Sequence, residues 1–161
     1  MRTTGFTHVS INAHNLDESV RFYTEVFGME EIPAPNFPFP VRWLRVGDLQ
    51  LHLVEGEEAA PGAHHFAMEV DDFAAAYERV IERGARIKEG YFSKLYELPD
   101  GAVQMYLLDP AGNMVEVNWP DVATLDRSAV DEEIEEVDPD ADGSKVTLYL
   151  GPRSEFGVEG P

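Results

Sequence analysis

The 161-residue chain has no cysteine. That excludes a disulfide framework, thiolate metal ligands and a cysteine nucleophile. Lysine is scarce: Lys88, Lys94 and Lys145 are the only three, and the other nine basic residues are arginine. No apolar run reaches the roughly 18 residues that a membrane span needs. The N-terminus enters a strand-like pattern without the apolar core of a signal peptide. Those two absences make a cytoplasmic protein the expectation. Positive charge is short overall, with 12 basic against 31 acidic residues, a net charge of -19 and a pI near 4.4. Nucleic acid and anionic membrane are therefore poor partners. An acidic, lysine-poor surface suits a salt-loaded cytoplasm, where ions screen self-repulsion, so a halophilic origin is expected. The tail alone does not make the chain acidic. Residues 121–161 hold 12 acids and 3 bases, which leaves 19 acids and 9 bases in 1–120.

A hydrophobic content of 43% belongs to a globular chain. Gly5 to Asn12 alternates, with Thr7, Val9 and Ile11 on one side and His8, Ser10 and Asn12 on the other, which reads as a half-buried strand. Asn15 caps a predicted helix from Leu16 to Phe27, with Leu16, Val20, Tyr23 and Phe27 as its apolar stripe and Gly28 at its end. Met29–Ile32, Val41–Val46 and Leu49–Glu55 read as strands. The last two are joined by a Gly47-Asp48 hairpin turn. The proline-rich loop 33–40 cannot be central strand.

The pattern then restarts. His64–Val70 reads as a strand, and Asp71 or Asp72 caps a helix running from Phe73 to Arg83 and closed by Gly84. Strands are expected at Arg86–Lys88, within Tyr91–Leu98, and at Ala102–Leu108 and Met114–Trp119. The turn 109–113 separates the last two. His8 to His65, Leu16 to Phe73, Val20 to Tyr77 and Tyr23 to Val80 share one offset of 57 residues. The chain is thus an internal repeat. The predicted fold is α+β: two βαβββ modules, about 5–56 and 63–119, whose sheets curl around a cleft with the helices outside. Residues 1–120 form this domain and 121–161 an acidic extension. The extension is expected to pack loosely, or else to serve a dimer contact. A short surface helix is expected near 130–137 and an edge strand at 145–150.

If the helices cover the faces holding Val9, Leu51, Leu53, Met68, Val115 and Val117, the opposite faces carry His8, His52, His65 and Glu116. Imidazoles with one carboxylate suit iron, manganese, nickel, cobalt or zinc. His64 is the fallback ligand if the register slips by one. Arg42 and Arg45 are candidates for holding a substrate carboxylate. Phe37, Phe39 and Trp43 are candidates for a pocket wall. Tyr106 is placed to reach the metal, and Ser10 and Asn12 share the face of His8.

The stretches "THVSINAHNLDESVRFYTEVFGME", "WLRVGDLQLHLVEG", "HHFAMEVDDF" and "LLDPAGNMVEV" resemble the vicinal oxygen chelate superfamily. It includes glyoxalase I, epimerases, fosfomycin- and bleomycin-resistance proteins and extradiol dioxygenases. The resemblance covers about residues 5–119. It implies metal ligands at His8, His52, His65 and Glu116, with Gln50 as the other candidate for the fourth place. It also implies a divalent metal that binds two neighbouring substrate oxygens and stabilises an enediolate, with either Glu116 as both ligand and base or a metal-bound hydroxide as the base. The implied activity is a metal-dependent lyase or isomerase of glyoxalase or epimerase type acting on a small molecule. Its alternatives are an extradiol-type dioxygenase using His8, His65 and Glu116, a fosfomycin-type thiol transferase, and a non-enzymatic binding or resistance protein. Ser10, Arg42, Trp43 and Tyr106 would contact the substrate. A homodimer is expected, with each site drawing on one chain or two.

Overall fold

The structure is a computed structural model that describes residues 5–58, 60–138 and 148. It divides into two compact units. One comprises residues up to Phe66 together with Leu108–Met114, and the other takes Ala67–Leu107 and the residues from Val115 onward.

In the first unit, β1 (His8–Ala13) leads into α1 (Leu16–Phe27), followed by β2 (Glu30–Ile32), β3 (Val41–Val46) and β4 (Leu49–Glu55). The sheet order is β1-β4-β3-β2, with β1 parallel to β4 and the other pairs antiparallel. The helix starts where the sequence says it should. Asn15 accepts a hydrogen bond from the Glu18 amide at 3.0 Å, and Gly28 ends the helix with a φ of 65°, a conformation that only glycine adopts without penalty. Gly47, with a φ of 55°, does the same for the two-residue turn between β3 and β4.

The buried stripe of α1 differs from the expected one. Ser19, Phe22, Tyr23 and Val26 are buried, while Leu16, Val20 and Phe27 are only half-buried. Both sets satisfy helical spacing, since a helix rich in apolar residues offers two overlapping stripes. Tyr23 belongs to both stripes, and the sheet buries Ser19, Phe22 and Val26 beside it. Leu44, Leu51 and Leu53 lie beneath α1 with at most 1% of their surface exposed.

The second sheet has the order β5-β8-β7-β6-β9. Its strands are β5 (His65–Glu69), β6 (Leu95–Glu97), β7 (Val103–Leu108), β8 (Met114–Trp119) and β9 (Ile134–Glu136), and α2 runs Phe73–Glu82. Asp72 is the cap residue, accepting from the Ala75 amide at 2.9 Å. The repeat survives in three dimensions: β1 and β5 begin at His8 and His65, and α1 and α2 at Leu16 and Phe73. In both sheets the first strand of the module lies beside its last. Arg86–Lys88 does not form the expected strand and contributes only a single bridge, Arg86 to Leu107. Tyr91–Ser93 is a 3-10 turn.

The extension is the larger correction. Its described part is docked, not loose, and contains no α-helix. β9 pairs in parallel with β6, matching Leu95 to Ile134. Leu125, Val130 and Ile134 are each 8% exposed. Spacing at 130, 134 and 137 mimicked a helix, but the edge of β6 offers hydrogen-bond partners that a lone surface helix lacks. The strand expected at 145–150 lies outside the described residues, apart from Leu148.

Two ion pairs, Lys94 with Glu135 and the more buried Arg86 with Glu132, fasten this segment. The Arg86 guanidinium, 8% exposed, donates to Glu132 Oε2 at 2.6 Å and Oε1 at 3.2 Å. It also donates to the Tyr106 and Ser93 carbonyls. Glu132→Ala would leave a nearly buried cation with only neutral acceptors. The expected loss is about 2 kcal/mol of unfolding free energy, less than for a fully buried pair because Glu132 is partly exposed. Urea denaturation of the variant beside wild type measures it.

Candidate functional site

Strand alternation puts His8, Ser10, Gln50, His52 and Trp43 on the sheet face turned away from Leu44, Leu51 and Leu53. Register fixes the neighbours: His8 lies opposite Gln50, Ser10 opposite His52, and Trp43 opposite His52. His52 is sandwiched. Its ring stacks on Trp43 at 4.1 Å with a 2° interplanar angle, and on His8 at 4.2 Å and 15°. Its Nε2 is 2.9 Å from Gln50 Oε1. Burial, and then the neighbouring His8, hold the His52 imidazole below its ordinary pKa, so the ring is neutral at pH 7. His8 Nδ1 lies 3.0 Å from the Thr7 hydroxyl.

Stacking has a consequence for ligation. An imidazole binds a metal in the plane of its ring, along a nitrogen lone pair. Parallel stacked rings send those lone pairs along parallel lines, so one ion cannot meet both. The structure brings His8 and His52 together as a stack rather than as a chelating pair, and Gln50 Oε1 lies beside them.

His65 stands at the start of β5. Its Nδ1 is 2.8 Å from the Ala63 carbonyl. A carbonyl only accepts, so Nδ1 carries the proton and Nε2 is the basic nitrogen. His64 and His65 line a cleft of about 360 Å³ with Ser10, Asn12, Glu58 and Asn113.

Glu116 is on β8, the neighbour of β5 in the second sheet. It is 3% exposed. Gln104, on β7 and 8% exposed, donates from Nε2 to Glu116 Oε1 at 2.7 Å. The Tyr106 hydroxyl lies 3.4 Å from Gln104 Oε1. Burial, and then the Glu116 carboxylate, push the Tyr106 phenol well above its ordinary pKa. It is therefore a hydrogen-bond donor at neutral pH. Asn118 shares the Glu116 face of β8 and is 4% exposed. Its Oδ1 has no hydrogen-bond partner among the described residues, an orphaned acceptor beside the carboxylate.

Gln104 and Asn118 are functional candidates that the sequence reading missed. The signal was present: polar side chains at alternate positions of β7 and β8, among Val, Met, Leu and Trp.

Arg42 leaves the candidate set. It alternates onto the helix side of β3, where it is paired with Glu31 and Asp17. Arg45 is on the candidate face, 3.6 Å from Glu30. Both had acidic neighbours on the adjoining strand, which in so acidic a chain are the nearest counter-charges. No group of three or more His, Asp or Glu side chains placed to hold one metal ion occurs among the described residues. No helix among them is long and apolar enough to cross a membrane.

Residues 5–117 match the model of the Glyoxalase/Bleomycin resistance protein/Dioxygenase superfamily, and the chain belongs to that family. Among its relatives is the protein YwbC of Bacillus subtilis (strain 168), 29% identical over 119 residues, 68% of this chain and 92% of the relative. A lactoylglutathione lyase from Agrobacterium tumefaciens superposes with a TM-score of 0.56 at 25% identity, covering 73% of this chain and 95% of its own. A variant of the fosfomycin resistance protein FosX from Listeria monocytogenes, solved with Mn(II), shares the fold with a TM-score of 0.60 at 15% identity, over 76% of this chain and 96% of its own.

Proposed function

We propose that the protein is a divalent-metal-dependent lyase or isomerase of glyoxalase or epimerase type, acting on a small molecule with two adjacent oxygens. One observation carries this reading. In each module the first strand supplies a histidine and the neighbouring last strand an oxygen donor: His8 with Gln50, and His65 with Glu116. Imidazole, amide and carboxylate donors fit iron, manganese, nickel, cobalt or zinc. Gln50 takes the fourth place rather than His52, because His52 is held in the stack. No three His, Asp or Glu side chains gather to hold one ion among the described residues of one chain. The set is therefore completed in a homodimer, one protomer giving His8 and Gln50, the other His65 and Glu116.

When bound, the cation supplies positive charge beside the substrate oxygens, where negative charge develops as a neighbouring C–H loses its proton. The chain's own residues do the rest. Gln104 orients the Glu116 carboxylate through Oε1, and Glu116 is the group placed to take up the proton. Tyr106, kept protonated, donates within the Gln104 and Glu116 cluster and helps hold that carboxylate in place. Asn118 Oδ1 accepts one from a substrate hydroxyl. Ser10 and Trp43 line the face of the other half.

Equilibrium dialysis against Mn(II) tests this. Wild type is expected to hold about one ion per chain, and His8→Ala and Glu116→Ala each to bind at least about 100-fold more weakly. Arg42→Ala should bind as wild type does. Undiminished binding by His8→Ala would sink the reading. The second reading, an extradiol-type dioxygenase, draws on the same His8, His65 and Glu116 and gains from His52 standing outside the ligand set. Oxygen uptake by the Fe(II)-loaded protein with a catechol separates the two.

A further inference from the structure

We propose that Glu132, in the acidic extension, is a positioning residue for the metal site: it holds the Glu116 carboxylate cluster in place through Arg86 and Tyr106. The inference rests on the metal-site reading above and makes the extension a working part of that site. Glu132 lies beyond the family match, which ends at residue 117.

Every link lies within one compact unit. A guanidinium carries five donors in a rigid planar fork, and Arg86 spends four of them. Nε and Nη2 go to the two oxygens of Glu132. Nη1 donates to the Tyr106 carbonyl at 2.5 Å, and Nη2 also to the Ser93 carbonyl at 2.9 Å. Because the fork is planar, the carboxylate on one side sets the direction of Nη1 on the other. Tyr106 is gripped twice by this arrangement. Its carbonyl takes the Nη1 bond, and its ring meets Phe92, the residue before Ser93, edge-on at 4.9 Å. The Tyr106 hydroxyl reaches Gln104 and Glu116, and Gln104 donates to Glu116 Oε1. Hydrogen bonds and the single residue Tyr106 thus join Glu132 to the candidate ligand.

Charge makes Glu132 the keystone of the path. A nearly buried cation needs an opposite charge beside it. Without one, the guanidinium gains by turning toward water, and that turn releases Tyr106 and Ser93 together. The other ion pair of the extension, Lys94 with Glu135, joins two exposed side chains at the surface. It fastens the same segment without the Arg86 fork, so it separates a general loosening of the extension from a loss of positioning.

Equilibrium dialysis of the full chain against Mn(II) tests this, with circular dichroism to verify that each variant is folded at the dialysis temperature. Glu132→Gln is expected to bind about fivefold more weakly, less than for a group touching the ligand itself because Glu132 acts at one remove. Glu132→Asp, which keeps the charge, should recover affinity to within about twofold of wild type. Glu135→Ala, which loosens the extension at the surface, should bind as wild type does. Wild-type affinity in Glu132→Gln, no recovery in Glu132→Asp, or an equal loss in Glu135→Ala each overturns the positioning role while leaving the metal site standing. If wild type itself holds no Mn(II), both the positioning role and the metal reading beneath it fail.

Discussion

Mixing the His8→Ala and Glu116→Ala variants is expected to restore metal binding that neither has alone. If a site takes His8 from one protomer and Glu116 from the other, each pure variant loses both of its sites. A dimer of one variant with the other concentrates both substitutions in a single site and leaves the second site intact. Random exchange makes about half of the dimers mixed, each with one good site, so about a quarter of wild-type capacity returns. Dialysis against Mn(II) after co-refolding the two variants measures it, with native mass spectrometry to verify that mixed dimers have formed. Sites built within one chain predict no recovery at any mixing ratio. One observation motivates the experiment: no group of three or more His, Asp or Glu side chains placed to hold one ion occurs among the described residues.

Much of this was legible in the sequence because it rests on local rules. Asn15, Asp72 and Gly28 place the helix ends through single hydrogen bonds and one left-handed residue. The 57-residue offset fixes His8 and His65 at equivalent strand starts. What escaped were the decisions made by tertiary partners. The stripe of α1 was set by which of its apolar residues the sheet covers, Phe22 and Val26 rather than Leu16, Val20 and Phe27. Arg42 went to Glu31 and Asp17 because alternation put it on the helix side. The extension was taken for a solvated tail because its acidic residues alternate too briefly to announce a strand, yet β6 had an open edge to pair. His52 fell on the expected face, but only coordinates show that it lies flat between Trp43 and His8. Gln104 was passed over because a lone amide in a strand carries no motif, and its role depends on Glu116 being 2.7 Å away.

The largest stability effect should come from a residue outside the donor set. Asp109→Ala is expected to cost about 4 kcal/mol of unfolding free energy. The Asp109 carboxylate is 5% exposed and accepts four hydrogen bonds. Oδ1 takes the Ala111 and Asn113 amides at 2.9 and 2.8 Å. Oδ2 takes the Tyr23 hydroxyl at 2.9 Å and Asn113 Nδ2 at 2.8 Å. Truncation leaves buried donors unpaired, which costs more than the bonds were worth net. Tyr23→Phe removes one donor and should cost about 1.5 kcal/mol; the double variant should cost less than the sum, since both act on one network. Burial, and then Asp109, raise the Tyr23 pKa well above its ordinary value. The folded state thus keeps a proton that the unfolded state releases near pH 10, so this contribution is complete below about pH 10 and fades as pH rises beyond it. Tyr77, Tyr96 and Tyr106 are shifted the same way, so the report on Tyr23 is the difference between wild type and Tyr23→Phe. The melting temperature of wild type should fall more steeply above pH 10 than that of the variant, and equal slopes would remove Tyr23 from the account. The network also bears on the site, because Asn113 Nδ2 donates to the Asn12 carbonyl at 2.8 Å. Asn12 is on β1, four residues from His8, so Asp109→Ala should weaken Mn(II) binding as well as folding, with no donor touched.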